Sequence, residues 1–145
     1  MSNGGTDVFF DVITLAGCAL AATPWQQNLV LHFADGHRLG RGVSGFDLSE
    51  LPWTDWPAQK LFLLKTLDKA AARHGWERLD YEPPFALAYL RSYLFMVEGL
   101  AHPLPGERDE RLGNWDDAPA PEHVALCPTH HVYEGHYGCR FCSDW

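Results

Sequence analysis

The sequence predicts an α+β fold: a small antiparallel sheet of about three strands packed against two helices, with a zinc knuckle near the C-terminal end. Three observations carry this expectation. Val8–Leu15 and Asn28–Phe33 are short runs rich in β-branched and aromatic residues, the pattern of buried strands. Two later segments, from Pro57 to His74 and from Phe85 to Leu100, have the length and spacing of helices. Cys127, His130, Cys139 and Cys142 fall in two pairs, each with two residues inside it and eight residues between the pairs. That spacing brings four soft ligands onto one tetrahedral ion.

The first strand, Val8–Leu15, is free of Gly and Pro. Leu15-Ala-Gly-Cys18 after it has the form of a lipoprotein attachment box. No Lys or Arg precedes it, however, and Asp7 and Asp11 fall where a charged and an apolar segment of a signal should lie. Cys18 is therefore expected to be a small buried hydrophobe. Asn28–Phe33 forms the second strand, Ala34-Asp-Gly36 a turn, and His37–Val43 the returning strand of a hairpin. Gly40-Arg-Gly-Val-Ser-Gly45 matches the letters of a dinucleotide-binding loop. Pro52 leaves no room for the helix on which such a loop would seat a pyrophosphate.

Asp55 and Pro57 open the first expected helix and Gly75 lies just past its end. Leu63, Leu64, Leu67, Ala70 and Ala71 form its apolar stripe, and Phe62 projects from the opposite face among Lys60, Lys65, Lys69 and Arg73. Phe85–Leu100 is apolar on nearly every side, with Arg91 and Glu98 sharing one polar edge, and is expected to be the central buried helix. It is too short and too polar to span a bilayer. Residues 102–121 hold four prolines, two glycines and five acidic residues, the composition of an extended linker with Trp115 as its anchor. The expected organisation is a core over residues 1–101, this linker, and a zinc-knuckle tail over residues 122–145.

With 145 residues and 46% hydrophobic content, one domain can bury a real core. A formal charge of -8 from 11 basic and 19 acidic residues disfavours nucleic acid and anionic lipid and suits a basic or neutral protein partner. Three of the four cysteines lie in the terminal motif, the usage of a reducing cytoplasm, where clustered Cys and His signify metal. Four protein ligands close the coordination sphere, so the expected Zn2+ is structural. His131 or His136 stands close enough in sequence to replace His130.

The run Cys127-Pro-Thr-His130 followed by Gly138-Cys-Arg-Phe-Cys142 resembles the paired knuckles of zinc-ribbon and treble-clef modules over about twenty residues. The resemblance implies a zinc-bound tail and names no role, since such modules bind nucleic acid, proteins or neither. Leu126–His131 also resembles the closing segment of HNH-type nucleases, but the Cys-x-x-Cys pair those enzymes carry upstream has no counterpart here. Zinc deaminases need His-x-Glu and Pro-Cys-x-x-Cys; His131 and Glu134 are spaced differently and Gly138 stands in the Pro position. The function expected on these grounds is a small acidic, zinc-stabilised protein-binding module such as an inhibitor, immunity-type protein, accessory subunit or regulator. Trp53, Trp56 and Phe62 are its candidate partner contacts. A nucleic-acid-binding zinc ribbon and a zinc-dependent hydrolase using Glu134 are the alternatives.

Overall fold

The computed structural model describes residues 3–35, 51–83, 85–100 and 113–142. The helices are α1 (Asn3–Leu20), α2 (Pro24–Ala34), α3 (Trp56–Ala71) and α4 (Ala86–Glu98), with a 3-10 turn at Trp76–Arg78 between the last two. No strand occurs among the described residues, where an isolated antiparallel bridge joins Leu126 to Tyr133. The expected α+β fold is thus corrected to a helical one.

Val8–Leu15 lies inside α1. Its residues other than Asp11 are buried, as is Ala16, because α1 runs between α2, α3 and α4 and packs against all three. A helix buried on every side carries no 3.6-residue pattern, and an apolar run of this length then reads equally well as a strand. Asn28–Phe33 is helical for a different reason. Thr23 and Gln26 form a reciprocal capping box with Pro24 in the first turn, with the Gln26 amide donating to Thr23 Oγ1 at 3.3 Å and Gln26 Oε1 accepting from the Thr23 amide at 3.2 Å. A helix start placed directly before the run outweighs the β-propensity of its side chains. The expected returning strand His37–Val43 and the run Gly40–Gly45 lie outside the described residues.

The approach of α1 to α2 requires Gly17: a Cβ there would stand 2.7 Å from Val30 Cγ2. Phe9 stacks on Tyr93 of α4 at 4.5 Å between centroids, and Phe10 meets Phe33 of α2 at 6.2 Å.

The α3 helix begins and ends near its expected limits, but its buried face is Gln59, Phe62, Leu63, Thr66, Leu67 and Ala70. Phe62 is in the core rather than on the solvent side. Thr66 faces inward at little cost because its hydroxyl donates to the Phe62 carbonyl at 2.8 Å. The central position expected for Phe85–Leu100 belongs to α1. Only Ala86, Leu90 and Val97 of α4 are buried, while Phe85 and Phe95 are 76% and 81% exposed.

Trp25 organises the end of the bundle near the start of α2. Its ring meets Trp53 at 5.3 Å and Trp115 edge-on at 5.4 Å, and its indole N–H donates to the Pro52 carbonyl at 3.0 Å. Asn28 Nδ2 donates to the carbonyls of Trp115 and Asp117 at 3.0 and 2.9 Å, which holds the chain entering the tail against α2. No helix among the described residues is long and apolar enough to cross a membrane.

Candidate metal centre

The tail between His123 and Cys142 folds as two tight loops around a short paired segment. The Cys127 amide donates to the Val132 carbonyl at 2.8 Å and the Glu134 amide to the Ala125 carbonyl at 2.8 Å, the two bonds flanking the Leu126–Tyr133 bridge. Between them the chain reverses, with the His131 amide bonded to the Cys127 carbonyl at 2.8 Å and His131 in the left-handed region at φ 60°. The second loop turns through Gly138 at φ 84°, as glycine permits, and closes with the Cys142 amide on the Cys139 carbonyl at 3.2 Å.

These turns bring together Cys127, His130, Cys139 and Cys142, whose ligand atoms all lie within 4.8 Å of one another. His130 Nδ1 is 3.8 Å from Cys127 Sγ, 3.5 Å from Cys139 Sγ and 3.2 Å from Cys142 Sγ. Cys127 and Cys142 Sγ are 3.7 Å apart, far beyond a disulfide bond. The four residues could hold a metal ion. His131 is exposed, and His136 is engaged elsewhere, with its Nδ1 2.6 Å from Asp35 Oδ2.

Protonation differs among the thiols. Burial pushes the Cys139 thiol up to about 12. Burial also acts upward on Cys127, but hydrogen bonds from the His130 backbone and ring and the Thr129 backbone draw it down to about 6. Cys142 is raised, chiefly through its hydrogen bond to Cys127.

The cluster is fixed to the helices at several points. Val132, Cys127 and Cys139 form a small second core with Leu15 of α1, flanked by Cys18, Trp76, Leu79 and Phe141. Cys18 accepts the Tyr133 amide at 3.3 Å, and burial pushes its thiol up to about 12. Arg140 Nε donates to Asp11 Oδ1 at 2.7 Å, while its Nη1 caps α2 through the Phe33 and Ala34 carbonyls, each at 2.9 Å. Asp11 also accepts the Tyr81 hydroxyl. Asp35 receives the His136 amide at 3.2 Å, and Gly135, at φ 64°, passes so close that a Cβ would stand 2.4 Å from Asp35 Oδ1. Glu134 Oε2 accepts the Cys139 amide at 3.0 Å, so this carboxylate braces the second loop.

Of the candidate partner contacts, Trp53 and Trp56 are half-buried with rings 4.8 Å apart, edge to face. Phe62 is buried. The sequence reading missed Asp11, Asp35 and Arg140 as supports of the site. Their signal is weak, because each belongs to a residue type usually found on the surface and their partners are remote in the chain. Among the described residues, the fold and site together define four α-helices and a tail whose Cys3His cluster could hold a metal ion. No family model matches the chain, and no significant match exists among curated proteins or solved structures.

Proposed function

We propose that the chain is a zinc-stabilised protein-binding module in which the ion is structural. A tetrahedral Zn2+ bonded at about 2.3 Å to sulfur and about 2.0–2.1 Å to nitrogen would separate its donors by about 3.8 Å for sulfur pairs and about 3.6 Å for sulfur–nitrogen pairs. The observed sulfur pair at 3.7 Å and the sulfur–nitrogen pairs at 3.8, 3.5 and 3.2 Å lie within about 0.4 Å of those figures, and all the ligand atoms lie within 4.8 Å of one another. Three thiolates and one imidazole also form a closed set, the composition of structural rather than catalytic zinc, in keeping with a zinc-ribbon-like or treble-clef-like knuckle. When bound, the ion would cross-link two loops that bury little by themselves, turning binding energy into folding energy for the tail.

The observation that carries the protein-binding reading is the arrangement around Trp53 and Trp56. These two half-buried indoles stand beside exposed Asp55 and Asp116, the latter bonded to Thr54 Oγ1 at 3.2 Å. Large aromatics with an acidic rim suit a basic protein segment, in which Arg can stack on an indole face. Nucleic acid is a poor fit: the single cation in residues 113–142, Arg140, is committed to Asp11 and to α2. Hydrolysis is no better served, since Glu134 is engaged by the Cys139 amide.

The reading is tested by isolating the native protein with whatever binds it and repeating the binding with Trp56→Ala. A protein partner retained by the wild type, lost by the variant at unchanged content of one zinc per chain, is expected. Recovery of nucleic acid in its place, or equal binding by the variant, would overturn it.

A further inference from the structure

One side of α4 presents an apolar strip to solvent. Phe85, Phe95 and Met96 are 76%, 81% and 44% exposed, and Ala88 and Ser92 between them are exposed as well. Phe85, Ala88, Ser92 and Phe95 follow one another at intervals of three, four and three residues, the alternation by which one helix offers a seam to another. The opposite side, Ala86, Leu90 and Val97, faces the core, so among the described residues the seam takes no part in the packing of the bundle. Phe85, the residue just before the helix, has a left-handed backbone, φ 59°, which bulky residues rarely adopt.

We propose that this seam is the contact face of a homodimer in which the α4 helices of two copies lie antiparallel. Charge selects a second copy as the occupant. Arg91 and Glu98 are both exposed and lie on the same flank of the seam, seven residues apart. In an antiparallel pair related by a twofold axis, like flanks face each other, so each Arg91 approaches the partner's Glu98 and the contact forms twice. A parallel pair would set that flank against the partner's Tyr89 and Met96 side and leave both charges unanswered.

An axis passing between Tyr93 and Leu94 puts Phe95 across from the partner's Ser92, where small side chains leave room for the ring. Arg91 and the partner's Glu98 are then offset by two residues, about 3 Å of helix rise, well within the reach of both side chains. From Phe85 to Gly99 the seam is about 21 Å long. One helix pair of this length covers less than the roughly 800 Å² per partner of a standard stable complex, so a reversible pairing is expected, with a Kd on the order of 10–100 µM.

Sedimentation equilibrium on the full, zinc-loaded chain between about 1 µM and 1 mM, a range spanning that Kd, tests the pairing. The expected average mass rises with concentration from monomer towards dimer. Phe95→Asp should remain monomeric throughout, with helix content and zinc stoichiometry unchanged because the ring is outside the core. Arg91→Glu and Glu98→Arg should each weaken association about tenfold. Their equimolar mixture should regain wild-type association, because in the mixed pair each reversed charge meets an opposite one. A wild type that stays monomeric, a dimer indifferent to Phe95→Asp, or a mixture no tighter than either variant alone would overturn the proposal.

Discussion

Arg140 and Asp11, 129 residues apart in the chain, meet at 2.7 Å between Nε and Oδ1 and fasten the Cys3His tail to the first helix. Their side chains are 5% and 15% exposed, so water does little to screen or replace the contact. The same guanidinium satisfies two terminal carbonyls of α2, and one side chain thereby joins the tail, α1 and α2.

Removing that side chain takes the guanidinium from a poorly hydrated carboxylate and a donor from each of two α2 carbonyls. Arg140→Ala is expected to destabilise the zinc-loaded protein by about 3–5 kcal/mol in chemical denaturation. Arg140→Lys should recover only part of this, because one ammonium cannot reproduce the divided donor geometry. A loss below about 1 kcal/mol, the range of a surface ion pair, would show that the contact is not maintained in solution.

Chelation of the ion is expected to release one metal per chain and to disorder the tail first. Most of the far-UV helical signal should persist, since α1 to α4 share a core largely independent of the cluster. The near-UV signal of Trp76, which packs against the small core of Leu15, Cys127, Val132 and Cys139, should change. Cys139→Ser should reproduce this state without chelator, and parallel loss of all helical signal would contradict it.

Metal uptake should release protons. At pH 7, Cys127, drawn down to about 6, is already mostly thiolate. Cys139, at about 12, and Cys142, also raised, still carry their protons. Binding therefore displaces about two protons, and affinity rises with pH by roughly a hundredfold per unit near neutrality. Titration calorimetry in buffers of different ionisation enthalpy reads this number directly, and buffer-independent heats would refute it.

Gly17→Ala ordinarily favours a helix. Here the added carbon would stand 2.7 Å from Val30 Cγ2, in a buried pair where the β-branched partner has little rotamer freedom. The expected result is a loss of about 1–3 kcal/mol, the usual penalty of overpacking, measured as a lower denaturation midpoint. A stabilised variant would mean that α1 and α2 can move apart freely.

The cluster was legible because its chemistry is local: Cys127 to Cys142 lie in one short stretch, and the turns between them carry their own Pro and Gly. The identity of α3 and α4 as helices was legible for the same reason. Misreading began where tertiary burial erased local pattern. Enclosure of α1 on all sides removed the periodicity that marks an amphipathic helix, and Val and Ile then argued for a strand. In α2 the decisive signal was present in Thr23, Pro24 and Gln26, but the β-branched and aromatic residues after it were given more weight than the cap. Phe62 was misplaced by about one helix face because α3 buries Thr66 and Gln59, whose polar groups find partners that spacing alone does not reveal.

Docking of Val132 and Arg140 onto α1 and α2 has a consequence for biosynthesis. The first two helices are synthesised before residues 127–142, so the patch formed by Leu15 and Cys18 and the carboxylate of Asp11 must wait uncovered until the tail has been made. Docking of the tail then completes assembly of the described core, and a chain whose Cys3His cluster failed to close would leave that patch open to proteolysis.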